Sequence, residues 1–292
     1  MSELDAKVRK SFEDVGNAFP VPDYCQPYSR IQVEEIAASL KRFVGPFEGK
    51  RLLDVGSGPM DKTAVFSRLG FDCFAADDLS DPWHQTPGMR DAILEFGKRF
   101  KVSFHLQTPD DYSIPYPDES FDVVTSIAVI EHLHDTPRVI LNAMGQKLKT
   151  DGILVVVMPN SVNLRKRLSV LRGRTNYNPL EELYFAIGGY RGHVREYTLN
   201  ETVQICEWSG FDILEARTFE HLAESKLGPL GRKIYEALGN TIPSLRSGLM
   251  VICRKPQGWT PAEENAKRYF EAIGDGLPTA IGSEGIPGAA AS

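Results

Sequence analysis

Asp54, Gly56 and Gly58 close the apolar run Leu52-Leu53-Asp54-Val55 and open the turn Gly56-Ser57-Gly58-Pro59-Met60. Glycines at this spacing let the backbone turn tightly and come close to a ligand. If a helix follows, its first N–H groups favour the carboxylate end of that ligand. Two phosphate-binding spacings fail here. A dinucleotide loop, GxGxxG from Gly56, needs glycine or alanine at position 61, and a loop of the form GxxxxGK[ST] needs glycine at the same place. The residue is Asp61 in both registers, although Lys62 and Thr63 fit the second. A second apolar run ends in the acid pair Asp77-Asp78, 22 residues beyond Gly56 (78 minus 56). Two histidines sit in polar company: His132 after Glu131, and His193 in Tyr190-Arg191-Gly192-His193-Val194-Arg195-Glu196-Tyr197. Their ordinary pKa suits them to move a proton near neutral pH.

These residues need a scaffold, and the chain supplies an alternation of strand and helix. RLLDV from Arg51 is followed by KTAVFSRLG, FDCFAAD, a helical stretch to Phe100, and KVSFHL. FDVVTSIAVI, a helix from about Thr136 to Leu148, and ILVVVM after the Asp151-Gly152 turn continue it, and FDILEART and GLMVICRK add two more strands. The pattern predicts an α/β fold: a Rossmann-like, seven-stranded, mostly parallel sheet with helices on both faces. Ahead of it, residues 1–45 read as an entry segment, mixed at first and helical over Ile31–Phe43, where Ile31, Ile36, Leu40 and Phe43 recur near helical spacing. Residues 46–255 are expected to form the α/β domain, with insertions over 160–245. Residues 256–292, rich in Gly, Pro, Ala and Ser toward the end, are expected to be a largely disordered tail.

Composition narrows the partners. With 292 residues, 42% of them hydrophobic, the chain can bury a full core. A formal charge of -6 offers no general attraction for phosphate backbones, so nucleic acid is not expected as a partner. Cys25, Cys73, Cys206 and Cys253 are scattered without a CxxC pair, which argues against a zinc site or a disulfide scaffold, and no metal is implied. The first residues lack an apolar signal region, and the longest purely apolar stretch, Ile153–Met158, is too short to span a bilayer. A cytoplasmic protein with at most peripheral membrane contact is expected.

The turn at Asp54-Val55-Gly56-Ser57-Gly58 resembles motif I of class I S-adenosylmethionine-dependent methyltransferases, D-x-G-x-G, with Met60 standing where the family often has a third glycine. The resemblance implies S-adenosyl-L-methionine as cofactor and a role for Asp54 toward its methionine ammonium. It implies that Asp78, or Asp77 one residue earlier, binds both ribose hydroxyls. Asp110-Asp111-Tyr112 resembles the stretch that meets the adenine amino group, and Ser126-Ile127 opens the fourth-strand motif that lines the methionine moiety. Asp151-Gly152 to Pro159-Asn160 resembles the fifth-strand motif ending in PN. The implied cofactor residues are therefore Asp54, Gly56, Ser57, Gly58, Asp77, Asp78, Asp110, Asp111, Ser126 and Ile127. Each motif alone is common in α/β proteins; five in the correct order over residues 46–255 carry the resemblance together.

For the acceptor side, His132 and His193 are the candidate catalytic bases. Against these roles, His132 could simply pack at a helix start, and His193 could tie its loop to the sheet. Asn160 to Leu168, with Arg172 and Arg174, combines basic residues with Leu164, Leu168 and Leu171 at helical spacing. It reads either as a solvated face over a packed one or as a lid for an anionic acceptor. Its PN-x-x-N-L-x-x-R-L pattern resembles bacterial methyltransferases encoded with surface-polysaccharide genes, which implies O-methylation of a small molecule or a sugar or glycolipid intermediate. The segment Leu227–Leu238 is expected to be buried against the domain, though it could shield the acceptor or rest on a membrane interface, and Tyr24, Tyr28 and Arg30 could close over the cofactor or simply anchor their segment to the sheet. The rivals are a quinone-pathway or other aromatic methyltransferase and a non-catalytic S-adenosylmethionine-binding protein. A nucleotide-dependent oxidoreductase or kinase is disfavoured by Asp61.

Overall fold

Successive side chains on a strand point to opposite faces, so a strand covered on both faces must be apolar throughout. In the computed structural model, which describes residues 2–108, 111–221 and 228–273, the runs read from the sequence form strands, those at the centre of the sheet buried on both faces and the two at its edges only partly covered. They are β1 (Arg51–Val55), β2 (Asp72–Asp77), β3 (Ser103–Leu106), β4 (Phe121–Ile127), β5 (Leu148–Pro159), β6 (Asp212–Phe219) and β7 (Gly248–Arg254). Ile153, Val155 and Val157 of β5 join one core layer, and Leu154, Val156 and Met158 join the other. Each such fully buried side chain contributes about 1.5–3 kcal/mol relative to exposure.

The sheet order is β3-β2-β1-β4-β5-β7-β6. Pairs among β1 to β5 are parallel, whereas β7 runs antiparallel to both β5 and β6, so the sheet is mixed. The chain runs outward from β1 to β3 and returns to β4 on the other side of β1. A crevice opens outside the carboxyl ends of strands at such a switch point.

One face is covered by α1 (Glu3–Ala18), α2 (Pro27–Val44), α3 (Asp61–Leu69) and α4 (Met89–Arg99), the other by α5 (Pro137–Lys147) and α8 (Leu199–Trp208). The sequence pattern predicts a helix only from Ile31, but the structure places an earlier one at Glu3–Ala18. Ser2 and Asp5 form its capping box, and Val8, Phe12 and Val15 are buried against the core. These N-terminal helices share the core of the sheet instead of standing apart from it. At the other end the compact unit runs to Pro261, beyond the Lys255 at which the strand pattern stops. Trp259 accounts for the extension: its Nε1–H donates to the Ser209 carbonyl at 2.8 Å, and its ring stacks on Phe211. The helix Ala266–Ile273 follows, and the tail expected to be disordered lies outside the described residues from 274 on.

Between β5 and α8 come α6 (Leu164–Leu171) and α7 (Leu180–Tyr184). Asn163 caps α6 through a 3.1 Å bond from the Lys166 N–H. Of the leucine stripe, read in one alternative as a packed face, Leu164 is half-buried and the rest is not covered. Lys166 is buried, whereas Leu168, Val170 and Leu171 are exposed, Leu171 at 82%. The segment Leu227–Leu238, expected to be buried against the domain, is instead a helix over Pro229–Thr241 whose Leu230 and Ile234 are exposed, and Leu227 lies outside the described residues. Among the described residues no helix is long and apolar enough to cross a membrane.

Candidate active site

The turn after β1 is built by residues with left-handed backbones. Gly56 has φ +70°, and a Cβ on it would lie 2.5 Å from Val129 Cγ2. Its N–H donates to the Ala76 carbonyl at 2.8 Å, which ties the turn to β2. Gly58, at φ +53°, faces open space where a Cβ would stand. Met60 takes the place of a third glycine and keeps a left-handed conformation, φ 64°. That conformation costs about 1 kcal/mol for a residue with a Cβ. Burial of its thioether against Gly97 offsets the cost, since a Cβ on Gly97 would lie 2.7 Å from Met60 Sδ.

Asp54 is buried, and both its oxygens already accept hydroxyl donors, from Thr63 Oγ1 at 2.6 Å and Thr125 Oγ1 at 2.7 Å. Burial raises its pKa above the usual carboxylate range, against the effect of those bonds. Near it Asp61, at the first position of α3, is buried without a hydrogen-bond partner, its charge met by Lys62 Nζ 3.6 Å away. A helix N-terminus favours a negative charge there.

The two acids at the end of β2 have different partners. Asp77 accepts the N–H of Gly58 and of Leu79, both at 2.7 Å, and so latches the first turn to the second. Burial pushes its pKa up to about 6. Asp78 accepts the Ser80 N–H at 2.8 Å and holds Arg191 Nη2 at 2.9 Å from each oxygen. Gly56, Asp77, Asp78, Val129, His132 and Arg191 line both lobes, about 130 and 250 Å³, of one cleft at the switch point. Ser57, Gly58 and Tyr24 line the larger lobe, and Asp111 the smaller, where it accepts the Ser113 N–H at 2.8 Å. Asp110 lies outside the described residues. Ile127 borders the cleft, but Ser126 is buried with an unpartnered hydroxyl and is not among the lining residues. Of the other aromatic and basic residues expected near the cofactor, Arg30 pairs with Glu34 at 2.6 Å, and Tyr28 is partly exposed.

Past β4 the chain brings His132 and His193 together, rings edge to face with centroids 4.7 Å apart. The Nδ1 of His132 is 2.7 Å from the Arg191 carbonyl, which can only accept, so Nδ1 carries the proton. His134 Nε2 likewise meets the Tyr190 carbonyl at 2.9 Å, and the N–H groups of Val194 and Arg195 donate to the Glu131 carbonyl at 2.7 and 3.2 Å. His132 therefore ties the 190–195 loop to the sheet, the role foreseen as the alternative for His193. His193 Nδ1 bonds Glu196 Oε1 at 2.7 Å, and the other Glu196 oxygen accepts from Lys166. Burial and the neighbouring His193 lower the pKa of His132. For His193 burial works the same way, but the bond to Glu196 and the charge of Glu131 outweigh it and the pKa rises.

Three residues of this cluster lie within the motif segments but were given no role from the sequence: Glu131, Lys166 and Glu196. Glu131 is fully buried with neither oxygen hydrogen-bonded, and burial pushes its pKa up to about 7. Beyond the histidines lies a further cavity of about 410 Å³, lined by Lys166, Asn176, Asn178, His193, Arg195 and Glu201 among others.

The profile of the family described as "Methyltransferase domain" matches residues 28–216. The chain is similar to the ubiquinone biosynthesis O-methyltransferase of Cereibacter sphaeroides, with 33% identity over 125 residues, 42% of this chain and 47% of the relative. The enzyme of that name from Rickettsia typhi is 25% identical over 172 residues, 57% of this chain and 65% of the relative. The chain thus spans about half the length of the curated relatives it matches. Among solved structures, an S-adenosylmethionine dependent methyltransferase from Mesorhizobium loti superposes with a TM-score of 0.51 at 16% identity, covering 75% of this chain and 96% of that one. A chain of the complex between the Haloferax volcanii Trm112 methyltransferase activator and a methyltransferase gives 0.52 at 15% identity, covering 88% and 99%. At such identities the structures speak for the fold.

Proposed function

Because the chain belongs to the class I S-adenosylmethionine-dependent methyltransferases, we propose that it methylates an oxygen of a small, polar, hydroxyl-bearing acceptor of the sugar or glycolipid kind. S-adenosylmethionine is the cofactor, and three features of the cleft fit it. Gly58 leaves a cradle that any side chain would fill, and Asp61 presents an orphaned buried carboxylate. Asp54, Asp61, Asp77, Asp78 and Asp81 outnumber Lys62 and Arg191 along the larger lobe, a balance suited to a cationic ligand.

In this reading Asp61 meets the methionine ammonium, and Asp54, held by Thr63 and Thr125, adds a second carboxylate behind it. Asp78 accepts the ribose hydroxyls, Asp111 stands at the adenine rim, and Gly56, Ser57 and Ile127 form the wall. When bound, S-adenosylmethionine supplies an electrophilic methyl group on a sulfonium, so the protein's main task is alignment. His132 and His193 are proposed as the bases, either of which can take the proton of the acceptor hydroxyl on Nε2 because its Nδ1 is held by a neighbour.

The observation that carries the acceptor class is the polar lining of the 410 Å³ cavity, in which His193, Lys166 and Arg195 stand beside Asn176 and Asn178. A second reading, an aromatic acceptor of the quinone-pathway kind, is favoured by the names of the curated relatives. Release of S-adenosylhomocysteine should be measured with a panel of glycosides and sugar phosphates and a panel of catechols. Turnover with the first panel is expected. Turnover confined to catechols would replace it with the second reading, and no product from either panel would leave a binding protein without catalysis.

The Asp77 latch makes cofactor affinity depend on pH. Above pH 6 its carboxylate accepts two N–H groups, and below it a proton displaces one acceptor site, worth about 1 kcal/mol. Affinity for S-adenosylhomocysteine is therefore expected to fall about fivefold between pH 7.5 and pH 5, and to be lower and flat in Asp77→Asn. The folded state takes up the proton more readily than the unfolded one, so the contribution to stability runs the other way and declines as pH rises from 3.8 to about 6. Equal calorimetric affinities for wild type at the two pH values would remove the latch from the binding argument.

A further inference from the structure

Glu131 is fully buried, and neither of its carboxylate oxygens has a hydrogen-bond partner. An uncompensated buried carboxylate is expensive and calls for a proton or a cation. Its neighbours do not supply a fixed charge, since the cluster's lysine, Lys166, is bonded to Glu196. What stands next to it instead is a pair of imidazoles. One ligand atom each from Glu131, His132 and His193 lie within 4.8 Å of one another.

The state of those imidazoles matters more than their number. A ring nitrogen binds a metal through its lone pair, and in protein metal sites the opposite nitrogen usually donates to a carbonyl or carboxylate, which fixes the tautomer. Both arrangements occur here: His132 Nδ1 on the Arg191 carbonyl at 2.7 Å, and His193 Nδ1 on the Glu196 carboxylate at 2.7 Å. Each Nε2 is left as the lone-pair atom.

We propose that Glu131, His132 and His193 form a binding site for a divalent first-row transition cation of the zinc class. Two imidazole nitrogens and one carboxylate oxygen are the donor set of open zinc sites, which keep a further position for an oxygen ligand. Metal–ligand distances near ~2.1 Å place ligand atoms roughly 3.4 Å apart, so the cluster closes by modest side-chain rotation. Glu196 serves as the outer partner of His193, and Lys166 balances Glu196. With Glu131 ionised and both rings neutral, Lys166 cancels Glu196 and the cluster as a whole keeps one negative charge, that of Glu131, for the cation to meet. His132 lines the cofactor cleft and His193 the polar cavity, so the open position lies between them. There a cation would lower the pKa of a coordinated hydroxyl. That consequence rests on the O-methylation proposed above; cation binding does not.

The test uses the full chain, treated with a chelator and dialysed, then titrated calorimetrically with Zn²⁺ and, in parallel, with Co²⁺ followed by visible absorption. One equivalent of Zn²⁺ is expected, and one of Co²⁺ with the appearance of ligand-field bands that added Zn²⁺ then abolishes. Glu131→Gln, which keeps the shape of the side chain, and His193→Ala should each weaken binding by about 100-fold or more. Absorption bands of the Co²⁺ form should change in His193→Ala even where affinity is partly kept. No stoichiometric binding, or binding unchanged in both variants, would overturn the site; the second result would indicate an adventitious ion only. A parallel titration with S-adenosylhomocysteine separates the cases, because intact product binding beside absent Zn²⁺ binding refutes the cation site alone.

Discussion

Asp78→Ala is expected to weaken binding of S-adenosylhomocysteine by two to three orders of magnitude. A carboxylate that accepts both hydroxyls of a ribose makes two charge-assisted bonds, each worth about 1.5–3 kcal/mol, and their sum corresponds to about 10²-fold or more. Asp78 is the acid of the Asp77-Asp78 pair with capacity to spare: Asp77 has both oxygens on backbone N–H groups of the first and second turns. The present partner of Asp78 is Arg191, a side chain 41% exposed, so a ribose can replace it without stranding a buried charge. Arg191→Ala should accordingly leave affinity for the product unchanged or raise it a few-fold. Isothermal titration of the three proteins, with NAD as a ligand expected not to bind, decides the matter. An Asp78→Ala variant within threefold of wild type would move the ribose elsewhere in the cleft.

Gly56→Ala should be strongly damaging, because among the described glycines Gly56 alone combines a positive φ with a Cβ contact under 3.0 Å. Alanine at φ +70° is strained, and the new Cβ would stand 2.5 and 2.7 Å from the two methyl carbons of Val129. Overpacking and backbone strain together are expected to destabilise the fold by about 2–4 kcal/mol and to abolish product binding, since the turn cannot keep its bond to the Ala76 carbonyl. The clash and the strain can be told apart. Val129→Ala in the Gly56→Ala background removes the clash alone and should recover about 1–2 kcal/mol in urea melts, whereas Val129→Ala by itself should be mildly destabilising. Strict additivity of the two substitutions would mean that Val129 gives way on its own and that the glycine is needed for its conformation only.

How much of this could be read from residues alone follows from the range of the interactions. The strands were legible because burial on both faces makes them apolar end to end, as in Ile153–Met158. The turn was legible because left-handed conformations select glycine, and Met60 shows the limit of that rule: packing against Gly97 holds a larger residue in the same conformation. The first helix was missed although Leu4, Val8, Phe12 and Val15 keep its spacing and Ser2 and Asp5 cap it. Asp61 counted in the sequence only against phosphate ligands; its orphaned carboxylate appears once Thr63 and Thr125 are seen to occupy Asp54. Glu131, Lys166 and Glu196 come from three separate segments, and nothing local announces that they meet. The leucines of α6 mislead for the same reason, because helical spacing marks a stripe without saying whether anything covers it.

The stretch 190–196 touches both halves of the site, through Arg191 on Asp78, the Arg191 carbonyl on His132, and His193 on Glu196. Heritable variation in this stretch is therefore pleiotropic: a substitution that retunes one half disturbs the other. Diversification toward new acceptors has an easier route through the opposite wall, where Asn176, Tyr177 and Asn178 line the polar cavity away from the cofactor cleft. A library for altered specificity should be drawn there, with 190–196 held constant.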